Sequence, residues 1–329
     1  MNTRILVLFN LLITVLLMTG FAQAQQPKKI PRIGVLNPAT PATVAHLIEA
    51  FKQGLREHGY VEGQNVVLEL RFGEAKPEAF PVLAAELVRL KVDVIVAFTN
   101  PMIEAAKQAT QTIPIVTPNS SDPVGSGFAA SLARPGGNIT GLTTASPELN
   151  GKRLEILKET VAKLSRVAVL LSPNFPGGAL DLKETEAAAR SLGLRIQPLE
   201  VRDASDIDRA FGAITNERAD ALTMFPGHPV LFVNRKKIVE LAAKNRLPVM
   251  YALSEFVDAG GLMCYEPDRL VMYRRAATYV DKILKGAKPG ELPIEQPTKF
   301  ELIINLKTAK QIGVTIPQSL LYQADKVIK

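Results

Sequence analysis

The chain has 329 residues, 47% of them hydrophobic and 22% charged, with no tryptophan and a formal net charge of +7. That length exceeds one small core and suits about two domains, and the mixture excludes a disordered, collagen-like or disulfide-dense protein. A single cysteine, Cys264, rules out an intrachain disulfide and Cys-x-x-Cys redox chemistry, and three histidines leave little for a histidine-rich metal centre.

Residues 1–24 read as an export signal. Met1-Asn-Thr-Arg4 is a basic start, residues 5–18 are apolar apart from Asn10 and Thr14, and Ala22-Gln-Ala24 offers a small-x-small cleavage site. The apolar run is shorter than the roughly 20 residues a membrane span needs. No cysteine stands near the cut, which argues against a lipid anchor. The expectation is a periplasmic protein, mature from Gln25. Without Arg4 it keeps 38 basic and 32 acidic residues, a net +6. These charges are scattered and not interleaved with aromatics, so nucleic acid is not an expected partner.

After the signal, strand-like runs alternate with helical periodicity. Strands are expected over 32–36, 65–72, 93–98, 113–117, 139–142, 166–171, 194–200, 220–225, 248–251 and 262–265. Helices are expected over 44–58, 78–90, 150–163, 180–192 and 230–245. Alternation of this kind predicts an α/β fold with doubly wound parallel sheets. Nearly continuous aliphatic runs such as 92–97 (VDVIVA) and 167–171 (VAVLL) suit strands buried on both faces.

The pattern is written twice. Arg32-Ile-Gly-Val-Leu36 is echoed by Arg166-Val-Ala-Val-Leu170, Asp93-Val-Ile-Val-Ala-Phe98 by Asp220-Ala-Leu-Thr-Met-Phe225, and Ile113-Pro-Ile-Val116 by Leu247-Pro-Val-Met250. Three collinear echoes predict two lobes of one architecture. Ligands of such sheets bind outside the carboxyl ends of the strands. Those ends here carry a polar residue followed by proline: Asn37-Pro38, Asn100-Pro101, Asp122-Pro123 and Ser172-Pro173. The pair reads either as helix capping alone or as helix N-termini aimed into a crevice, ready for an anionic group.

The candidate ligand-binding residues on these loops are Asn37, Thr40, Thr99, Asn100, Ser120, Ser121, Asp122, Asn174, Phe175, Phe225, His228, Tyr251 and Glu255. Hydroxyls and amides supply directional bonds, Asp122 or Glu255 can pair with an ammonium, and Phe175, Phe225 or Tyr251 can cover an apolar portion. Asp122 reads equally as a plain cap, Phe98 and Phe225 as core. No Gly-x-Ser-x-Gly elbow, P-loop, dinucleotide fingerprint or His-Glu-x-x-His motif occurs, and Cys264 lies in an expected strand. No cofactor and no metal are expected; a carboxylate pair for glycoside hydrolysis stays open, since Asp and Glu are many and nothing singles one pair out.

Segments along nearly the whole mature chain carry a resemblance: 54–65 (GLREHGYVEGQN), 83–97 (LAAELVRLKVDVIVA), 122–141 (DPVGSGFAASLARPGGNITG), 151–155 (GKRLE), 256–263 (FVDAGGLM), 285–289 (KGAKP) and 305–309 (NLKTA). The chain resembles the substrate-binding proteins of ABC importers, in the group that includes tryptophan-binding members. That resemblance implies a type I periplasmic-binding-protein fold with two lobes on a three-stranded hinge, lobe one from 25–143 plus 267–294 and lobe two from 144–266 plus 295–329. It implies a monomer that captures a small polar solute, an amino acid or related carboxylate, and delivers it to an inner-membrane permease. A ligand-sensing module of a signalling receptor is the alternative, an exported α/β hydrolase a more distant one. The chain departs from the family pattern near the expected cleft: it has Thr99-Asn-Pro101 where Gly-Thr-Pro-like residues are expected, a more polar 117–121, and Glu266 in place of a glycine.

Overall fold

The computed structural model describes residues 29–74, 76–144, 146–173, 178–225 and 229–329; the expected export signal lies outside them. The first half runs β1 (Arg32–Asn37), α1 (Pro41–Glu57), β2 (Val67–Phe72), α2 (Phe80–Arg89), β3 (Val94–Ala97), α3 (Asn100–Ala109), β4 (Ile115–Ser120) and β5 (Ile139–Thr143). Proline within the first two positions of α1, α2 and α3 presets the helical φ where no backbone donor is missed. The strands form an all-parallel sheet in the order β2-β1-β3-β4-β5. All four residues of β3 are buried because helices cover both faces.

The second half continues with α4 (Ser146–Thr160), β6 (Arg166–Leu171), α5 (Gly178–Ser191), β7 (Arg195–Glu200), α6 (Ala204–Asn216) and β8 (Ala221–Met224). Then come α7 (Pro229–Val233), α8 (Arg235–Lys244), β9 (Val249–Tyr251), α9 (Ser254–Asp258) and β10 (Met263–Pro267). The chain closes with α10 (Arg269–Leu284), β11 (Phe300–Asn305), α11 (Leu306–Ile312), α12 (Gln318–Gln323) and β12 (Lys326–Ile328). The second sheet has the order β12-β11-β10-β9-β8-β6-β7. Its β7-β6-β8-β9-β10 portion repeats the first sheet strand for strand.

The echo extends to single hydrogen bonds. Asp93 Oδ2 accepts from Arg32 N at 2.8 Å, and Asp220 Oδ2 accepts from Arg166 N at 2.8 Å. Each aspartate follows a residue held at positive φ, Lys91 at 52° and Arg218 at 55°. The two lobes thus start their first strand and enter their third by one shared device.

Strands β11 and β12 were not expected, and β11 runs antiparallel to β10, so the second sheet is not wholly parallel. The reason is the path of the chain. It leaves the first sheet after Thr143, returns between Pro267 and Arg269 so that α10 packs on the first sheet, and crosses again before Phe300. The strand made by the last crossing meets β10 from the opposite direction. Backbone bonds tie the crossings together: Thr143 N to Glu295 O at 2.9 Å, Glu295 N to Gly141 O at 3.0 Å, and Asp268 N to Lys299 O at 3.0 Å.

Each sheet is sandwiched between two apolar layers. In the first lobe Leu47, Phe51 and Leu55 of α1 meet Tyr273, Ala276 and Val280 of α10 on one face, while Leu87, Met102 and Ile103 fill the other. Burying each such large side chain contributes about 1.5–3 kcal/mol. Gly54 lets α1 and α10 approach, since a Cβ there would stand 2.3 Å from the carbonyl oxygen of Arg274. Gly54→Ala gains about 1 kcal/mol of helix propensity and loses more to overpacking. A net destabilisation of about 2 kcal/mol is expected in urea unfolding.

Candidate binding site

The carboxyl ends of both sheets face one cavity of about 180 Å3, comparable with the ~150 Å3 apolar cavity that holds a benzene ring. The loops after β1, β3 and β4 supply Asn37, Thr99, Asn100 and Ser121; the second lobe supplies Phe225, Phe232 and Glu255. Residues at the crossings complete it: Thr144, Arg153, Glu266, Arg269 and Tyr273.

The wall on the first lobe is an aromatic slab beside a polar corner. Phe98 and Tyr273 stack with centroids 4.8 Å apart and planes 4° from parallel, both buried. Burial pushes the Tyr273 phenol well above its ordinary range. Asn100, also buried, is bonded at both ends of its amide: its Oδ1 accepts from Ser120 Oγ at 3.0 Å and Ser121 N at 3.1 Å, and its Nδ2 donates to Ser126 Oγ at 3.0 Å. It ties the end of β3 to the end of β4 and so fixes where Ser121 stands. Thr99 precedes α3 at φ 77°, with its N–H donating to Asn119 Oδ1 at 3.3 Å. Positive φ at a β-branched residue costs energy and persists only where the surroundings enforce it. In the first turn of α3, Pro101 carries no N–H and Met102 and Ile103 donate to Thr99 O at 3.1 and 3.0 Å, so the Asn100 N–H is the amide that helix geometry leaves without an intrahelical acceptor.

Charge is concentrated on the opposite wall. Arg269 Nη2 donates to Glu255 Oε1 at 2.6 Å, and Arg269 Nε lies 3.4 Å from Glu266 Oε2. Glu266 Oε1 accepts from Ser254 N at 3.1 Å. Burial works against ionisation of Glu255, but the Arg269 charge and hydrogen bond hold its carboxyl below the usual range. Glu266 is buried more deeply, and there burial wins over Arg269 and the second carboxylate adds to it, so its carboxyl is raised. Arg269 is held above its ordinary value: burial opposes its charge, and Glu266 and Glu255 together outweigh burial.

Behind them Arg153, 2% exposed, donates from Nε to Tyr265 O at 2.9 Å and from Nη1 to Asn150 Oδ1 at 2.9 Å. Asn150 Nδ2 in turn donates to Asp181 Oδ1 at 3.2 Å. Burial lowers Arg153 to about 10, with Asp181 and Glu266 opposing.

Among the described residues five buried side-chain atoms have no hydrogen-bond partner, and three of these belong to the cavity wall: Ser121 Oγ, Glu255 Oε2 and Glu266 Oε2. Buried polar atoms are nearly always satisfied, so three in one cavity mark where a guest makes its bonds. No group of three or more His, Cys, Asp or Glu among the described residues is placed to hold a metal ion. Cys264 is buried, and its thiol is pushed up by that burial.

The family model described as ABC transporter substrate binding protein matches residues 32–328. The chain belongs to that family. It is 24% identical over 287 residues to a tyrosine-binding protein of Clostridioides difficile (strain R20291), a match covering 87% of this chain and 82% of the relative. Its fold is that of the ABC domain solved in complex with L-Trp from Streptococcus pneumonia, with TM-score 0.83 and 24% identity over 91% of this chain and 99% of the other. A conserved domain protein from Vibrio cholerae gives TM-score 0.84 and 26% identity over 91% and 100%. The family is one of substrate-binding proteins, and the fold is the two-lobed α/β one the sequence resemblance implied.

Of the residues expected at the site, Asn37, Thr99, Asn100, Ser121, Phe225 and Glu255 line the cavity of this family member. Thr40 does not: it is exposed at the start of α1, its hydroxyl 2.9 Å from that of Thr43. Ser120 is fully buried one layer back, donating to Asn100. Asp122 closes a turn by accepting from Gly125 N at 2.8 Å, and Tyr251 is buried in the second core, stacked on Phe256. Asn174, Phe175 and His228 lie outside the described residues. The capping role of the Asn-Pro pairs also needs correction. Asn37 accepts from Ala39 N at 2.9 Å, and Asn100 bonds across to β4, so neither caps the helix that follows. Arg153, Arg269 and Tyr273 were not anticipated as site residues, and Glu266 was marked only as a departure from the family pattern.

Proposed function

We propose that this protein is the exported solute receptor of an ABC importer and that its solute is an L-amino acid with an apolar, aromatic-sized side chain. The observation that carries this is the placement of the unpartnered atoms on opposite walls. The ammonium of an amino acid pairs with Glu255 on the second lobe, and its carboxylate takes Ser121 Oγ and the Asn100 N–H at the start of α3 on the first. The side chain lies against Phe98, Tyr273 and Phe225. A zwitterion held this way bridges the lobes, so closure and capture are one event. The tyrosine and tryptophan bound by the relatives support the class. The lobes divide in this reading at 25–143 plus 267–294 and 144–266 plus 295–329. The mature chain begins near Gln25 in the periplasm, acts as a monomer and hands its solute to an inner-membrane permease.

A micromolar dissociation constant corresponds to about −8 kcal/mol, which two charge-assisted contacts and a buried ring supply after the cost of closure. Calorimetry of the mature protein against the twenty amino acids tests the reading. One or a few aromatic members should bind saturably and be recovered unchanged. Absence of binding across the panel, or chemical conversion of a bound solute, sinks it. Within this scheme Ser121→Ala removes one hydrogen bond to a charged group and should weaken the solute by about tenfold without moving the melting temperature.

A further inference from the structure

The cavity holds one more acidic side chain than a single zwitterion needs. Glu255 and Glu266 each use one oxygen in a hydrogen bond, with Arg269 Nη2 and Ser254 N respectively, and each leaves Oε2 buried in the wall without one, Glu266 Oε2 having only the ion-pair contact with Arg269 Nε at 3.4 Å. Glu266 is 3% exposed. One guanidinium, Arg269, faces both carboxylates. The other arginine, Arg153, is committed to Tyr265 O and Asn150 and has Asp181 as its acidic neighbour. The two carboxylates that face Arg269 exceed it by one negative charge when both are ionised. The rest of the lining near them is apolar or aromatic, and ring faces favour a cation.

We propose that Glu255 and Glu266 form a two-carboxylate cradle for one primary ammonium group, and that the cradle makes the site accept apolar primary amines lacking a carboxylate as well as amino acids. A primary ammonium has three N–H donors, enough to serve both open oxygens, and its single positive charge closes the balance. A quaternary nitrogen brings the same charge and no donor. The proposal rests on the cavity being the solute site, as above, but not on the solute carrying a carboxylate.

The test is calorimetry on the mature protein with 2-phenylethylamine and its N,N,N-trimethyl analogue, using wild type, Glu266→Gln and Glu266→Asp. Wild type should bind the primary amine at least about tenfold more tightly than the quaternary one, and Glu266→Gln should reduce that ratio below about threefold. Glu266→Asp, which keeps the charge, should retain part of the preference. A primary amine that fails to bind wild type, or a ratio unchanged in Glu266→Gln, overturns the cradle. L-phenylalanine titrated in parallel reads the preceding proposal separately. Amine binding without amino-acid binding upholds the cradle and removes the amino acid, and the reverse pattern removes the cradle alone.

Discussion

Arg269→Met should lower the unfolding free energy of the ligand-free protein by about 3–5 kcal/mol near neutral pH, because breaking a buried ion cluster leaves charge uncompensated. Among the described residues Arg269 is the one cation bonded to Glu255 and close to Glu266, and the side chains of all three are at most 14% exposed. Removing it leaves two like charges facing each other in a poorly solvated wall. Their folded-state affinity for protons must then rise above that of the unfolded chain. The folded variant therefore takes up protons as pH falls, and part of the lost stability returns as pH is lowered from neutral. The further substitution of Glu255→Gln and Glu266→Gln in the same chain should restore most of the loss at all pH values, since a neutral cluster needs no counterion. Urea unfolding at several pH values measures this. A loss below about 1 kcal/mol, the range of an exposed ion pair, contradicts the arrangement.

This cluster also shows where sequence reasoning stops. The strands could be recognised because their burial on two faces writes itself as unbroken aliphatic runs: Val94–Ala97 and Arg166–Leu171 are apolar after their first positions for a purely local reason. The duplication was equally open, since Asp93 and Asp220 recur at the same place before the third strand of each lobe and make the same bond there. Loop residues at strand ends, such as Asn37, Ser121 and Glu255, follow from the rule that ligands sit at the carboxyl edge of a parallel sheet.

Arg153 and Arg269 follow from no local rule. Arg153 sits mid-helix in α4 and bonds Tyr265 O, 112 residues away, because α4 packs on β10 within the second lobe, and Arg269 joins them because the chain crosses back to the first lobe directly after β10. Strand β11 was missed for a related reason: its partner is set by the last crossing, after the strand–helix alternation has ended. The polar-proline pairs misled in the other direction. Asparagine before proline is a sound capping signal, yet Asn100 gains more by satisfying Ser120 and Ser121 across a buried gap than by capping its own helix.

The second large effect is a dependence of stability on pH through Asp181. Its carboxyl is raised to about 7, first by burial, while Arg153 and the hydrogen bond from Asn150 pull it down and the like charge of Asp122 on the first lobe adds to the rise. The folded-state value lies above the unfolded value of 3.8, so between those limits the folded protein holds a proton that the unfolded chain has released. Stability from this group is complete below about pH 4, falls as pH climbs toward 7, and is fully lost above that. At about 1.4 kcal/mol per pKa unit, the loss between pH 5 and pH 8 is about 3 kcal/mol. Asp181→Asn keeps an oxygen for Asn150 Nδ2 and cannot titrate. Arg153, lowered only to about 10, keeps its charge throughout that interval. The difference in unfolding free energy between Asp181→Asn and wild type should therefore shift by about 3 kcal/mol in favour of the variant from pH 5 to pH 8. Denaturant unfolding of both ligand-free proteins at matched pH reads that difference directly. Parallel curves, or a shift toward wild type at high pH, would mean that Asp181 is ionised in the folded protein throughout and that Arg153 and Asn150 outweigh its burial.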